Sequence, residues 1–134
     1  MIEVKGDASI MSDIAMSRTV PGKGLKVTVW VLQIVAAVAF LAAGGAKLSG
    51  APEMVAVFEK VGVGQWFRYV TGGLEIVGAV ALLVPRFAFY GAALLVAVMA
   101  GAVFTHLVVL GGNPAPAVVL LGLTGAIAWM RLPR

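Results

Sequence analysis

The 134 residues contain no cysteine. That excludes disulfides, thiolate metal sites and dithiol redox chemistry. Charge is scarce: Asp, Glu, Lys and Arg make up 12% of the chain, against about 25% in ordinary soluble domains. Histidine occurs once, at position 106. One histidine with one carboxylate is too few for a closed zinc site, so no metal is expected. Two axial haem ligands are likewise out of reach, and a single axial His106, as in an oligomer, is left as a weaker alternative. There is no phosphate-cradling glycine loop and no nucleophile elbow. What the chain has instead is hydrocarbon: 61% hydrophobic residues and a mean hydropathy of +1.04. A water-soluble fold this small could not hide so much apolar surface. The class is therefore an all-α integral membrane protein. The formal net charge of +4 sits mainly at the flanks of apolar runs, where basic residues set topology. The bilayer is the expected partner and nucleic acid is not.

The spacing of apolar runs predicts a mobile tail over residues 1–26 and a membrane domain over residues 27–132. The domain is expected as an up-down four-helix bundle with spans near 27–48, 66–84, 87–110 and 114–130. The first run could instead be read as a signal peptide ending at the small residues of AAGGA, but it is long for such a core and three spans follow. Between the first two spans, Pro52 and Glu53 suit a helix start, and Gly62 and Gly64 suit its end. Met54, Phe58 and Val61 fall on one side, which predicts a short amphipathic surface helix. It could be a plain cover for the bundle or a lid over a site. Asn113 and Pro114 are the expected start of the last span.

Basic residues place both termini in the cytoplasm of a multi-pass protein of the plasma or inner membrane. Arg18, Lys23 and Lys26 flank the first span, Arg86 follows the second, and Arg131 and Arg134 end the chain. Lys60 and Arg68 oppose this orientation. Aromatics agree with it, with Trp30, Phe87, Tyr90 and Trp129 at the inner boundary and Trp66 and Tyr69 at the outer.

Three ionisable residues lie in or beside apolar runs: Lys47, Glu75 and His106. A charge at the bilayer centre costs on the order of 2.5–3.5 kcal/mol on insertion scales, so Glu75 needs a partner, a proton or water. Thr71 and Gly72 precede it by a turn, and Gly78 and Ala79 follow by a turn, so the carboxylate is expected to face the bundle. In the expected topology all three groups fall in the outer half of the bilayer, where a Lys47–Glu75 pair with His106 nearby is sterically reasonable. Two readings stand side by side. In one the pair only neutralises itself and fixes helix register, as interhelical polar contacts do at about 0.6 kcal/mol each. In the other the trio is a catalytic or binding site, with Arg68, Thr71, Thr105 and Gln33 as further candidates for touching a substrate.

The runs LAAGGAKL at residues 41–48 and VFEKVGVGQWFRYVTGGLEIVGAVALLVP at residues 57–85 carry a resemblance. Gly44, Gly45, Lys47, Leu48, Phe58, Gly62, Arg68, Gly72, Glu75 and Gly78 are the matching positions. Together they resemble the DoxX-like family of small four-helix membrane proteins. That resemblance implies the four-span fold. It also implies a redox or quinone link, because the family takes its name from a subunit associated with thiosulfate oxidation that passes electrons to quinone. Members tied to thiol redox are a poor guide to a chain without cysteine. Of the trio, Lys47 and Glu75 are motif positions, as is Arg68, while His106 rests on its own setting.

The expected function is binding of a small lipophilic molecule, with quinone as the cofactor class considered beside no cofactor at all. The protein would act alone, as a homo-oligomer, or with other membrane subunits in a redox assembly. The alternatives are a membrane enzyme doing acid–base chemistry on an apolar substrate (isomerisation, epoxide opening or cyclisation) and a scaffold without a site.

Overall fold

A computed structural model describes residues 23–133. The chain divides into two units, residues 1–31 and 32–134. Of the first, the described residues are the start of helix α1, Lys23–Ser49. The tail expected over residues 1–26 otherwise lies outside the described residues. The regular structure described is all helical: α1, then α2 (Pro52–Val61), α3 (Trp66–Leu82), α4 (Ala88–Thr105) and α5 (Ala115–Met130). A 3₁₀ turn, Pro85–Phe87, leads into α4, and a π turn, His106–Leu110, continues it. Two helices are long and apolar enough to cross a membrane, α1 and the continuous stretch Pro85–Leu110. Helices α3 and α5 are shorter, at 17 and 16 residues.

Local chemistry explains the breaks. Helix α1 ends at Gly50, whose φ of +76° only glycine adopts cheaply. The Gly50 N–H donates to the Lys47 carbonyl and the Ala51 N–H to the Ala46 carbonyl, the paired bonds of a Schellman cap. Helix α2 begins with Pro52, carries Glu53 at its positive end and Lys60 at its negative end, and stops at left-handed Gly62. The Asn113 side-chain oxygen accepts the Ala115 N–H at 3.0 Å, capping the start of α5.

Helix α3 buries Arg68, Gly72, Glu75, Ala79 and Leu82, which recur every three or four residues and so share one face. Its glycines let neighbouring backbones close in. A Cβ on Gly72 would stand 2.9 Å from the Lys47 Cβ and 3.1 Å from the Gly44 carbonyl oxygen, so α1 and α3 touch backbone to backbone. The core beside them is Ala36, Ala37, Phe40, Ala79, Leu82, Ala92, Leu95, Met99, Ala117 and Ile127.

The exterior is apolar. Val38, Val77, Phe104, Leu107 and Val119 are all more than half exposed, while Gln33, Arg68, Glu75 and Thr124 are buried. Soluble monomers rarely expose so much contiguous apolar surface. Charge inside and hydrocarbon outside is an arrangement suited to lipid.

Candidate functional site

Lys47 and Glu75 meet. The Lys47 Nζ lies 2.9 Å from the Glu75 Oε1. The last turn of α1 supplies the lysine and the middle of α3 supplies the carboxylate, and the Gly44–Gly72 contact brings the two helices close enough for the lysine stem to reach. The Glu75 side chain is 1% exposed and that of Lys47 15%. The contact is an ion pair at hydrogen-bond distance but without straight hydrogen-bond alignment, and neither carboxylate oxygen has another donor among the described residues.

Beside the pair is a cavity of about 570 Å³, within the size range of small-molecule sites. Its wall is mostly hydrocarbon from α2, α3 and α4, including Met54, Phe58, Leu74 and Met99. Its polar members are Lys47, Thr71, Glu75, Thr105 and His106. Five of the seven residues singled out from the sequence therefore share one wall. The apolar side of α2 forms part of it, and the Lys60 Nζ ties that helix to the Leu110 carbonyl at 2.9 Å. A smaller recess of about 320 Å³ lies between α2 and the π turn, lined by Lys60, His106 and Asn113 among others.

The hydroxyls of Thr71 and Thr105 donate to the carbonyls of Phe67 and Gly101, at 2.9 and 2.8 Å. Their oxygens remain acceptors. His106 sits at the first position of the π turn, and its Nδ1 is 2.9 Å from the Ala102 carbonyl. A carbonyl only accepts, so Nδ1 carries a proton, and in the neutral ring Nε2 is left as an acceptor. His106 makes no ion pair or hydrogen bond with Glu75 among the described residues, though both line the cavity.

Arg68 and Gln33 are engaged elsewhere. Arg68 is buried, but its Nη1 donates to the Lys47 carbonyl and its Nε to the Gln65 Oε1 at 2.8 Å. Its guanidinium also stacks 4.4 Å from the Tyr69 ring centre. It therefore holds the end of α1 rather than Glu75. Gln33 is fully buried toward the other end of the helices, donating to the Leu82 carbonyl at 2.5 Å and accepting from the Arg131 Nε at 2.6 Å. The rise from residue 33 to 47, roughly 21 Å at 1.5 Å per residue, separates it from the ion pair. Neither residue lines the cavity.

Sequence reasoning missed Gln65, which joins Arg68 to the Val55 carbonyl of α2 at 3.1 Å. It also treated Arg131 only as a topology marker. A polar residue next to the breaks that end α2 was the available signal for Gln65. Among the described residues, no three His, Cys, Asp or Glu side chains come together to hold a metal ion.

Helices with an apolar exterior, two of them long enough to cross a bilayer, around an internal ion pair make this a membrane protein. Its sequence matches the DoxX-like family over residues 31–130, and the chain belongs to that family. No curated protein and no solved structure matches it.

Proposed function

We propose that the protein is a four-span membrane protein with both termini in the cytoplasm, and that it binds a small lipophilic molecule in the cavity under α2. Helices α1, α3, α4 and α5 would be the spans, with the shorter α3 and α5 standing upright or thinning the bilayer locally. The observation that carries the binding reading is the union of a mostly apolar chamber with a buried ion pair in its wall. Pure helix glue needs no recess beside it, and this one is about half open to the exterior, where a lipophile can enter. A quinone fits the chemistry, with an apolar body and polar atoms for the lysine and histidine to meet. The protein would then serve a redox assembly as the subunit that holds the carrier.

A second reading is favoured by the two carboxylate oxygens that lack aligned donors. A carboxylate so placed keeps its acceptor capacity, and a rotamer change would let it take a proton from an apolar substrate while Lys47 steadies the charge that develops. That would make the protein an acid–base enzyme of the membrane.

The test is mass spectrometry, with an optical spectrum, of what co-purifies in mild detergent with the wild-type protein and with Glu75→Gln. A stoichiometric small lipophile that is depleted in the variant is the expected result. Empty protein in both, from gently extracted membranes, would count against the binding reading.

A further inference from the structure

The ion pair also limits which lipophile the cavity takes. This deepens the binding reading above and rests on it. We infer that the ligand is uncharged and presents a hydrogen-bond acceptor, such as a ketone or quinone carbonyl, to the Lys47 ammonium, while Glu75 is a positioning residue behind it.

Accessibility comes first. Both Glu75 oxygens are sealed, whereas the Lys47 side chain keeps 15% of its surface open, and both residues belong to the cavity wall. A molecule in the cavity therefore meets the ammonium before the carboxylate. An ammonium has three N–H donors and no acceptor. Its 2.9 Å contact with the Glu75 Oε1 occupies at most one of them, which leaves donors for a ligand oxygen. A ligand hydroxyl would meet this group only by accepting, so a carbonyl serves it better than an alcohol whose own proton then needs a partner.

Charge balance comes second. The ammonium and carboxylate cancel, and most of the remaining wall is hydrocarbon with little to solvate a further charge. A fatty carboxylate would compete with Glu75 for one lysine and leave one negative charge uncompensated. An alkyl ammonium would leave one positive charge in the same way. Glu75 therefore does two things: it keeps Lys47 aimed by its 2.9 Å contact, and it rejects anionic amphiphiles that a lone lysine would attract.

The experiment uses the full chain in detergent with four probes of equal length: undecanone, undecanoate, undecylamine and undecane. Binding is read by native mass spectrometry and by the ligand-induced rise in melting temperature, which follows from preferential binding to the folded state. The assay is run at about pH 8, where an ordinary imidazole is neutral. For the wild type the ketone is expected to bind at least about tenfold more tightly than the acid, the amine or the alkane, the step that one good polar contact of 1.4 kcal/mol gives. In Glu75→Gln the wall gains a net positive charge and the acid should overtake the ketone. In Lys47→Gln the amine should overtake it. A residue with a purely structural role would lower all four affinities together and could not reverse their order. Since either single variant can unfold, the charge-swapped Lys47→Glu/Glu75→Lys protein, which restores a neutral pair, is measured as well, and it should again prefer uncharged probes. Alkane binding equal to ketone binding, with the ranking unchanged in the variants, would overturn the inference and leave the cavity as a plain lipophile site. Failure of all four probes to bind the folded wild type would overturn the binding reading and the inference together.

Discussion

Two polar clusters lie inside the described part of this protein, and they are built differently. Toward one end, Gln33 is fully buried and has good partners on both sides of its amide, the Leu82 carbonyl and the Arg131 guanidinium. Around the middle of α3, Glu75 is equally buried but has a charge contact and no aligned hydrogen bond among the described residues. The first cluster sits where α1, α3 and the end of α5 meet. The second sits against open volume. Buried polar groups are normally satisfied in full, and one that is not usually has another purpose. The contrast sets a polar group whose hydrogen bonds are filled beside one that has an ion pair and open space next to it.

The strongest way to break the contrast is Lys47→Met. It leaves Glu75 buried without a counter-charge, and about 3–5 kcal/mol of stability should be lost, as is usual when one partner of a buried pair is removed. Removing both charges, in Lys47→Met/Glu75→Leu, should restore most of that loss. Unfolding in mild detergent, followed by circular dichroism against denaturant, measures both proteins; a double variant as unstable as the single one would mean that the pair holds the fold together. Gln33→Leu tests the other cluster and should cost less, about 1–3 kcal/mol for the unsatisfied groups it leaves. Binding of a lipophile should survive it once the protein is folded, because Gln33 is not in the cavity wall; loss of binding from folded Gln33→Leu protein would erase the distinction between the clusters. The smallest effect is expected for Lys60→Ala, which removes an exposed bond from α2 to the Leu110 carbonyl. Amide exchange should quicken in α2 and the π turn while the unfolding midpoint stays in place. Unchanged exchange there would show that the bond does not restrain α2.

Much of this was legible in residue order, and the reasons differ by residue. The helix over residues 52–61 followed from proline, glycine and a one-sided apolar pattern, all local signals. The burial of Glu75 followed from the small residues one turn to either side. Partners across helices were harder to see. Arg68 shares a face with Glu75, so periodicity made it a second cation for the carboxylate. The two are a rise of roughly 10 Å apart, however, and the Schellman end of α1 offers Arg68 a nearer carbonyl. Gln33 interrupts an apolar run as conspicuously as Glu75 does, and nothing local tells a satisfied polar residue from an unsatisfied one. The π turn at His106 was not visible at all, because its i to i−5 bonding, seen in the Gly111 N–H to His106 carbonyl contact, leaves no mark on the apolar pattern.

The backbone contact of Gly44 with Gly72 has a kinetic consequence. Where two helices touch without side chains between them, no rotamer can swing aside to open a path, and separating them means moving whole segments. The opposite wall is made of α2, a ten-residue helix held to the π turn by an exposed lysine and flanked by glycines at positive φ. On the proposed reading, a bound molecule should therefore exchange with the surrounding lipid through the open side of the cavity and along α2, without any loosening of the frame below.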